Sequence, residues 1–131
     1  MNDVVYTGLV LISHSPKVAE GVKDMIRQVN QDVMIELAGG TDDQEIGTSI
    51  DKIMQAIEQA DNGVGVLLLY DLGSAKMNAE MAIEMSEREN VKIAEAPLLE
   101  GAYVAAVEAG LGKSVDAITE TLDREFPTKE R

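Results

Sequence analysis

Apolar residues fall into two kinds of grouping along this chain: unbroken runs, and positions spaced three or four apart. Residues 4–12 close on Leu9-Val10-Leu11-Ile12, and residues 64–70 read Val-Gly-Val-Leu-Leu-Leu-Tyr. Such runs predict strands buried on both faces, as in a parallel sheet. Shorter runs at residues 32–38 and 91–94 predict a second strand and a weak edge strand. Between the runs the period becomes helical. Val18, Val22, Met25, Ile26 and Val29 predict a first helix of about four turns. Ile46, Ile50, Ile53, Met54 and Ile57 mark a second, closed by Asp61-Asn62-Gly63. Met77, Met81 and Met85 lie one turn apart on a third and are expected to pack in the core. Helices over residues 98–111 and 114–126 complete the chain, with Val115, Ile118 and Leu122 facing inward and Gly110 and Gly112 at their joint.

This alternation predicts an α/β fold: an open sheet of four parallel strands in order 2-1-3-4, with right-handed crossovers and helices on both faces. The two most apolar strands, the first and third, are expected to be neighbours. No composition break or internal repeat divides residues 1–126, which are expected to form one domain, with residues 127–131 as a polar tail.

The candidate chemistry sits where the apolar runs stop. The first ends in Ser13-His14-Ser15-Pro16, and His14 is the only histidine of 131 residues. Ser15 suits a helix cap and Pro16 a first turn, so His14 is placed at the carboxyl end of a central strand, where open α/β sheets bind ligands. The third strand stops at Asp71-Leu72-Gly73-Ser74, which brings Asp71 beside His14. A carboxylate accepting Nδ1–H fixes the imidazole tautomer and leaves Nε2 as a nucleophile. Gly73 and Ser74 open a helix whose free N–H groups favour an anion. The Gly39-Gly40-Thr41 turn at the same sheet edge is expected to offer a second set of donors. A nucleophilic histidine, an orienting acid and phosphate-ready helix ends point to phosphoryl transfer through a phosphohistidine. The candidate catalytic residues are His14 and Asp71; the candidate phosphate-binding residues are Gly73, Ser74, Thr41 and Ser15. No metal site is expected.

Composition narrows the alternatives. The net charge of −13, from 24 acidic and 11 basic residues, disfavours nucleic acid and anionic membrane as partners and favours basic protein surfaces. There is no cysteine, hence no thiol nucleophile or disulfide frame. Neither a membrane-length apolar stretch nor a basic leader is present, and the cytoplasm is the expected compartment. A hydrolase lacks its Gly-x-Ser-x-Gly elbow here. A receiver-like signalling module would place an acidic pair where Ser13-His14-Ser15 stands. A flavin would find one Phe and no Trp to stack on.

Three blocks in order, Gly8 to Ser15, Gly39-Gly40-Thr41 with Gly47-Thr48-Ser49, and Asp71 to Ala75 with Asn78-Ala79-Glu80, resemble the mannose-type EIIA family of the bacterial phosphotransferase system. The resemblance spans roughly residues 4 to 123 and is greatest to the phosphotransferase subunits of phosphoenolpyruvate-dependent dihydroxyacetone kinases. It implies a homodimeric cytoplasmic carrier whose His14 accepts phosphate from the phosphocarrier HPr. From His14 the group passes to ADP held on the DhaL subunit, and the resulting ATP phosphorylates dihydroxyacetone on DhaK. By resemblance Asp71 and Ser74 match the acid and hydroxyl flanking the histidine, and Thr41 a phosphate contact. The carrier itself then needs no cofactor. The short charged tail with Pro127 is expected to preclude the strand exchange of the mannose-transporter branch, and HPr is expected as a separate protein. A sugar-transporter EIIA domain with another acceptor is the alternative within the family. The Ala-rich segment 102–109 and the Met-lined third helix are the two expected dimer surfaces.

Overall fold

The computed structural model describes residues 5–127. In chain order it contains β1 (Gly8–Ser13), α1 (Pro16–Ile26), β2 (Ile35–Gly39), α2 (Ile50–Ala60), β3 (Val66–Tyr70), α3 (Ser74–Ser86), β4 (Val91–Ile93), α4 (Leu98–Gly110) and α5 (Val115–Glu125). All strand pairs are parallel and the order is β2-β1-β3-β4. The expected topology is the observed one.

The apolar runs explain the layering. Successive side chains of a strand point to opposite faces. Leu9, Leu11, Leu67 and Leu69 pack on one side with α1, α4 and α5. Val10, Ile12, Val66 and Leu68 pack on the other with α2 and α3. Every residue of β1 is buried, as are Val66 to Leu69 of β3, with Tyr70 partly exposed at the strand end.

Several boundaries differ from expectation. β1 begins at Gly8, not within residues 4–7, because its partners begin there: Gly8 pairs with Val66 and Leu9 with Ile35. Upstream, Thr7 donates its hydroxyl to the Lys113 carbonyl at 2.9 Å and Val5 is exposed; Val4 lies outside the described residues. α1 is one turn shorter than expected. The N–H groups of Gln28 and Val29 turn back to the Met25 and Ile26 carbonyls, and the Asn30 side chain accepts the N–H groups of Asp32 and Val33. Its buried positions are Ala19, Val22 and Ile26, while Val18, Met25 and Val29 are exposed. α2 starts at Ile50, behind the Ser49 cap, which leaves Ile46 in the preceding loop at 73% exposure.

The largest correction concerns α3. Met77, Met81 and Met85 are exposed, Met77 by 75%, and the buried face is Ala75, Ala79 and Ala82. Spacing identified a stripe but not which stripe faces inward. Small side chains seat this helix close to the sheet and α2, and the methionines are turned outward. Conversely Ala102, Ala105, Ala106 and Ala109 of α4 lie wholly inside the core, so these alanines are not available to a dimer partner.

Close backbone approach sets one strict requirement. A Cβ on Gly8 would stand 2.2 Å from the Ala60 carbonyl oxygen, at the end of α2. Gly21, in the middle of α1, has nothing within 4 Å of that position. Gly8→Ala is expected to destabilise the fold by roughly 1–3 kcal/mol through overpacking. Gly21→Ala is expected to stabilise it by about 0.5–1 kcal/mol. Urea unfolding of the two variants checks both signs.

Candidate functional site

The site forms where β1 and β3 end together. Their register pairs Ile12 with Tyr70, so the next residues of each strand emerge side by side at the carboxyl edge of the sheet. His14 Nδ1 lies 3.0 Å from Asp71 Oδ1. The same carboxylate accepts the backbone N–H of Leu72 at 2.7 Å through Oδ1. Its Oδ2 accepts the Ser13 hydroxyl at 2.7 Å and the His14 N–H at 3.0 Å. Burial alone would raise the Asp71 carboxyl; the Ser13 hydroxyl, the His14 ring and N–H, and the Leu72 N–H outweigh it and hold the group below its ordinary range. Ionised Asp71 is acceptor-only, which assigns the imidazole proton to Nδ1 and the lone pair to Nε2.

That lone pair faces the start of α3. Ser74 Oγ lies 2.9 Å from Nε2, and with Nδ1 carrying the ring proton the hydroxyl is the donor. Gly73 caps α3 without any side-chain bond. The N–H groups of Ala75 and Lys76 turn back to the Leu72 and Gly73 carbonyls. Those of Gly73 and Ser74 have no protein acceptor among the described residues. The helix start that brings Ser74 Oγ to Nε2 thus carries two free donors and the positive end of the helix dipole. The imidazole is one-fifth exposed, enough for an approach from solvent.

Ser15 takes the capping role expected of it, whereas the Gly39-Gly40-Thr41 turn differs from expectation. Ser15 caps α1, its Oγ accepting the Val18 N–H at 3.3 Å, and its own N–H donates to Ser13 Oγ at 3.1 Å. The donors of the Gly39-Gly40-Thr41 turn are not free as expected. Gly40 N–H bonds the Ser13 carbonyl at 3.0 Å and Thr41 N–H the Glu45 carbonyl at 2.9 Å. Thr41 Oγ1 accepts the Glu45 N–H at 3.1 Å, and no hydrogen bond joins Thr41 to His14 among the described residues. This turn shapes its own loop.

Two contributors had not been singled out. Ser13 is completely buried and bridges Asp71 to the Ser15 N–H; a hydroxyl at the end of an otherwise apolar strand was its signal. Gly47 donates its N–H to the His14 carbonyl at 2.8 Å. It stands in the second of the three blocks carrying the family resemblance.

Residues 8–119 match the model of the EIIA-man family, the PTS system fructose IIA component. The chain is 43% identical over 119 residues to the phosphotransferase subunit DhaM of the PTS-dependent dihydroxyacetone kinase of Lactococcus lactis subsp. lactis, covering 89% of this chain and 94% of that protein. It is 47% identical over 117 residues to the phosphoryl donor subunit DhaM of dihydroxyacetone kinase 1 of Listeria innocua, covering 88% and 91% respectively. The crystal structure of EF1359, a protein of unknown function, matches with a TM-score of 0.81 and 30% identity over 97% of this chain and 99% of that one. With fold and relatives in agreement, the chain belongs to the EIIA-man family, among its DhaM subunits.

Proposed function

We propose that the chain carries phosphoryl groups for a phosphoenolpyruvate-dependent dihydroxyacetone kinase, with His14 Nε2 as the atom that takes and gives them. One observation carries this reading: the only histidine is held at Nδ1 by an ionised carboxylate while Nε2 meets the Ser74 hydroxyl at the start of α3, where the Gly73 and Ser74 N–H groups have no protein acceptor among the described residues. The DhaM names of the relatives at 43% and 47% identity supply the reaction in which such a carrier works.

In the proposed sequence HPr, phosphorylated on its own histidine, presents the phosphorus to Nε2. The Nε2 lone pair forms the new N–P bond as the donor N–P bond breaks, and that electron pair returns to the donor ring. Ser74 must first turn its hydroxyl from Nε2; it then donates to a phosphoryl oxygen, alongside the N–H groups of Gly73 and Ser74. The phosphoryl brings nearly two negative charges. The ring, now substituted at Nε2 and protonated at Nδ1, is formally cationic, and Asp71 is its counter-charge. A β-phosphate oxygen of ADP bound to DhaL then attacks the phosphorus and the N–P pair returns to Nε2, leaving a neutral imidazole and ATP. DhaK enters only downstream, holding the dihydroxyacetone. The homodimer and the cytoplasmic compartment belong to the same reading. Among the described residues no helix is long and apolar enough to cross a membrane.

Phosphotransfer in a purified mixture of enzyme I, HPr and DhaL–ADP tests the assignment. His14→Ala is expected to abolish transfer, and wild-type protein is expected to gain one phosphoryl group that is acid-labile and base-stable. Asp71→Ala is expected to slow transfer by about two to four decades; a wild-type rate would remove Asp71 from the mechanism.

Asp71 also links the site to stability. Its carboxyl is held low in the folded protein, so its contribution is complete above the unfolded value of about 3.9 and is lost as the pH falls through the lower folded value. The melting-temperature advantage of wild type over Asp71→Asn is therefore expected at pH 7 and expected to shrink on acidification below about pH 4. A gap that stays constant from pH 7 to pH 2 would contradict it.

A further inference from the structure

The carrier reading leaves Thr48 and Asn78 without a task, yet they complete a circuit around the imidazole. Asn78 lies four residues beyond Ser74 on α3, so the two side chains share one face of the helix. Its Nδ2 donates to Thr48 Oγ1 at 2.6 Å. The neighbour of Thr48, Gly47, donates its N–H to the His14 carbonyl at 2.8 Å. From His14 the path runs through Gly47 to Thr48, across to Asn78, up one helical turn to Ser74, and back to Nε2 of the same histidine.

The loop in this circuit is itself fixed. Lys52 Nζ donates to the Gly39 carbonyl at 2.8 Å and to Gln44 Oε1 at 2.7 Å, tying the end of β2 to the loop. Gly47 has φ +142, and a Cβ there would stand 2.7 Å from the Thr41 methyl. The first turn of α3 has no side-chain cap on Gly73 and buries only its own Ala75, while Lys76 pairs with Glu95 at 2.6 Å. On the face that carries Ser74, Asn78 is the tie to the rest of the site.

We propose that Thr48 and Asn78 are positioning residues for phosphoryl transfer: their hydrogen bond latches the start of α3 to the His14 loop and sets the Ser74 hydroxyl over Nε2. Neither touches the phosphoryl group. The inference rests on the carrier reading for its effect on rate and on geometry alone for its effect on the ring.

Thr48→Val removes the acceptor and keeps the shape, while Thr48→Ser keeps the acceptor. With phosphorylated HPr as donor, Thr48→Val is expected to lower the saturating transfer rate roughly 10- to 100-fold, the scale of a small misplacement of a reacting group. The half-saturating HPr concentration is expected to stay unchanged. Thr48→Ser is expected to retain the wild-type rate. In nitrogen-15 spectra of the histidine ring, the Nε2 resonance is expected to move in Thr48→Val as the Ser74 hydrogen bond loosens, with Nδ1 unmoved. A folded Thr48→Val protein with the wild-type saturating rate and Nε2 resonance would overturn the latch. So would a Thr48→Ser protein as slow as Thr48→Val. If Thr48→Val does not fold, Asn78→Ala is read by the same two measurements. Should wild-type protein take no phosphoryl group on His14, the carrier reading fails, and the Nε2 resonance alone decides the latch.

Discussion

One carboxylate organises this site. Asp71 gathers four hydrogen bonds from both sides of the seam between β1 and β3: the Ser13 hydroxyl, the His14 N–H and ring, and the Leu72 N–H. An ion with four donors is well compensated for partial burial, whereas loss of any partner leaves charge under-solvated at the sheet edge. The same contacts fix which ring nitrogen is protonated. The histidine tautomer and the direction of its lone pair thus depend on a single group, placed by the pairing of β1 with β3.

Much of this was legible in the chain. The unbroken runs at residues 9–12 and 66–69 identified the central strands, because a parallel sheet covered on both faces leaves no polar alternation to confuse the reading. Placing those strands side by side brought His14 and Asp71 together, since equivalent ends of parallel neighbours point the same way. Ser74 followed from the helix start after Asp71. The Met77, Met81 and Met85 stripe misled because hydropathy ranks methionine above alanine, whereas packing distance favours the smaller residue where a helix seats tightly. The Gly39-Gly40-Thr41 turn misled for a different reason. Its N–H groups are as suited to an anion as any, but local partners, the Ser13 and Glu45 carbonyls, had already claimed them. Composition cannot show which donors are already spent.

Support around the imidazole comes from segments distant in sequence. Gly47 belongs to the loop after β2, Ser13 to β1, and Ser74 to the helix after β3. Order 2-1-3-4 converges these connections on one edge. The opposite edge carries the joints between helices and strands and makes the close contacts, such as Gly8 on Ala60, that tolerate little change.

The outward methionines have a consequence for durability. None of the methionines among the described residues is fully buried: Met25, Met34, Met77, Met81 and Met85 are exposed, and Met54 only borders the core. With no cysteine anywhere in the chain, no fully buried side chain among those residues carries sulfur. Peroxide would therefore meet thioethers at the surface, where sulfoxide formation roughens the exterior of α3 and spares the alanine seam beneath it.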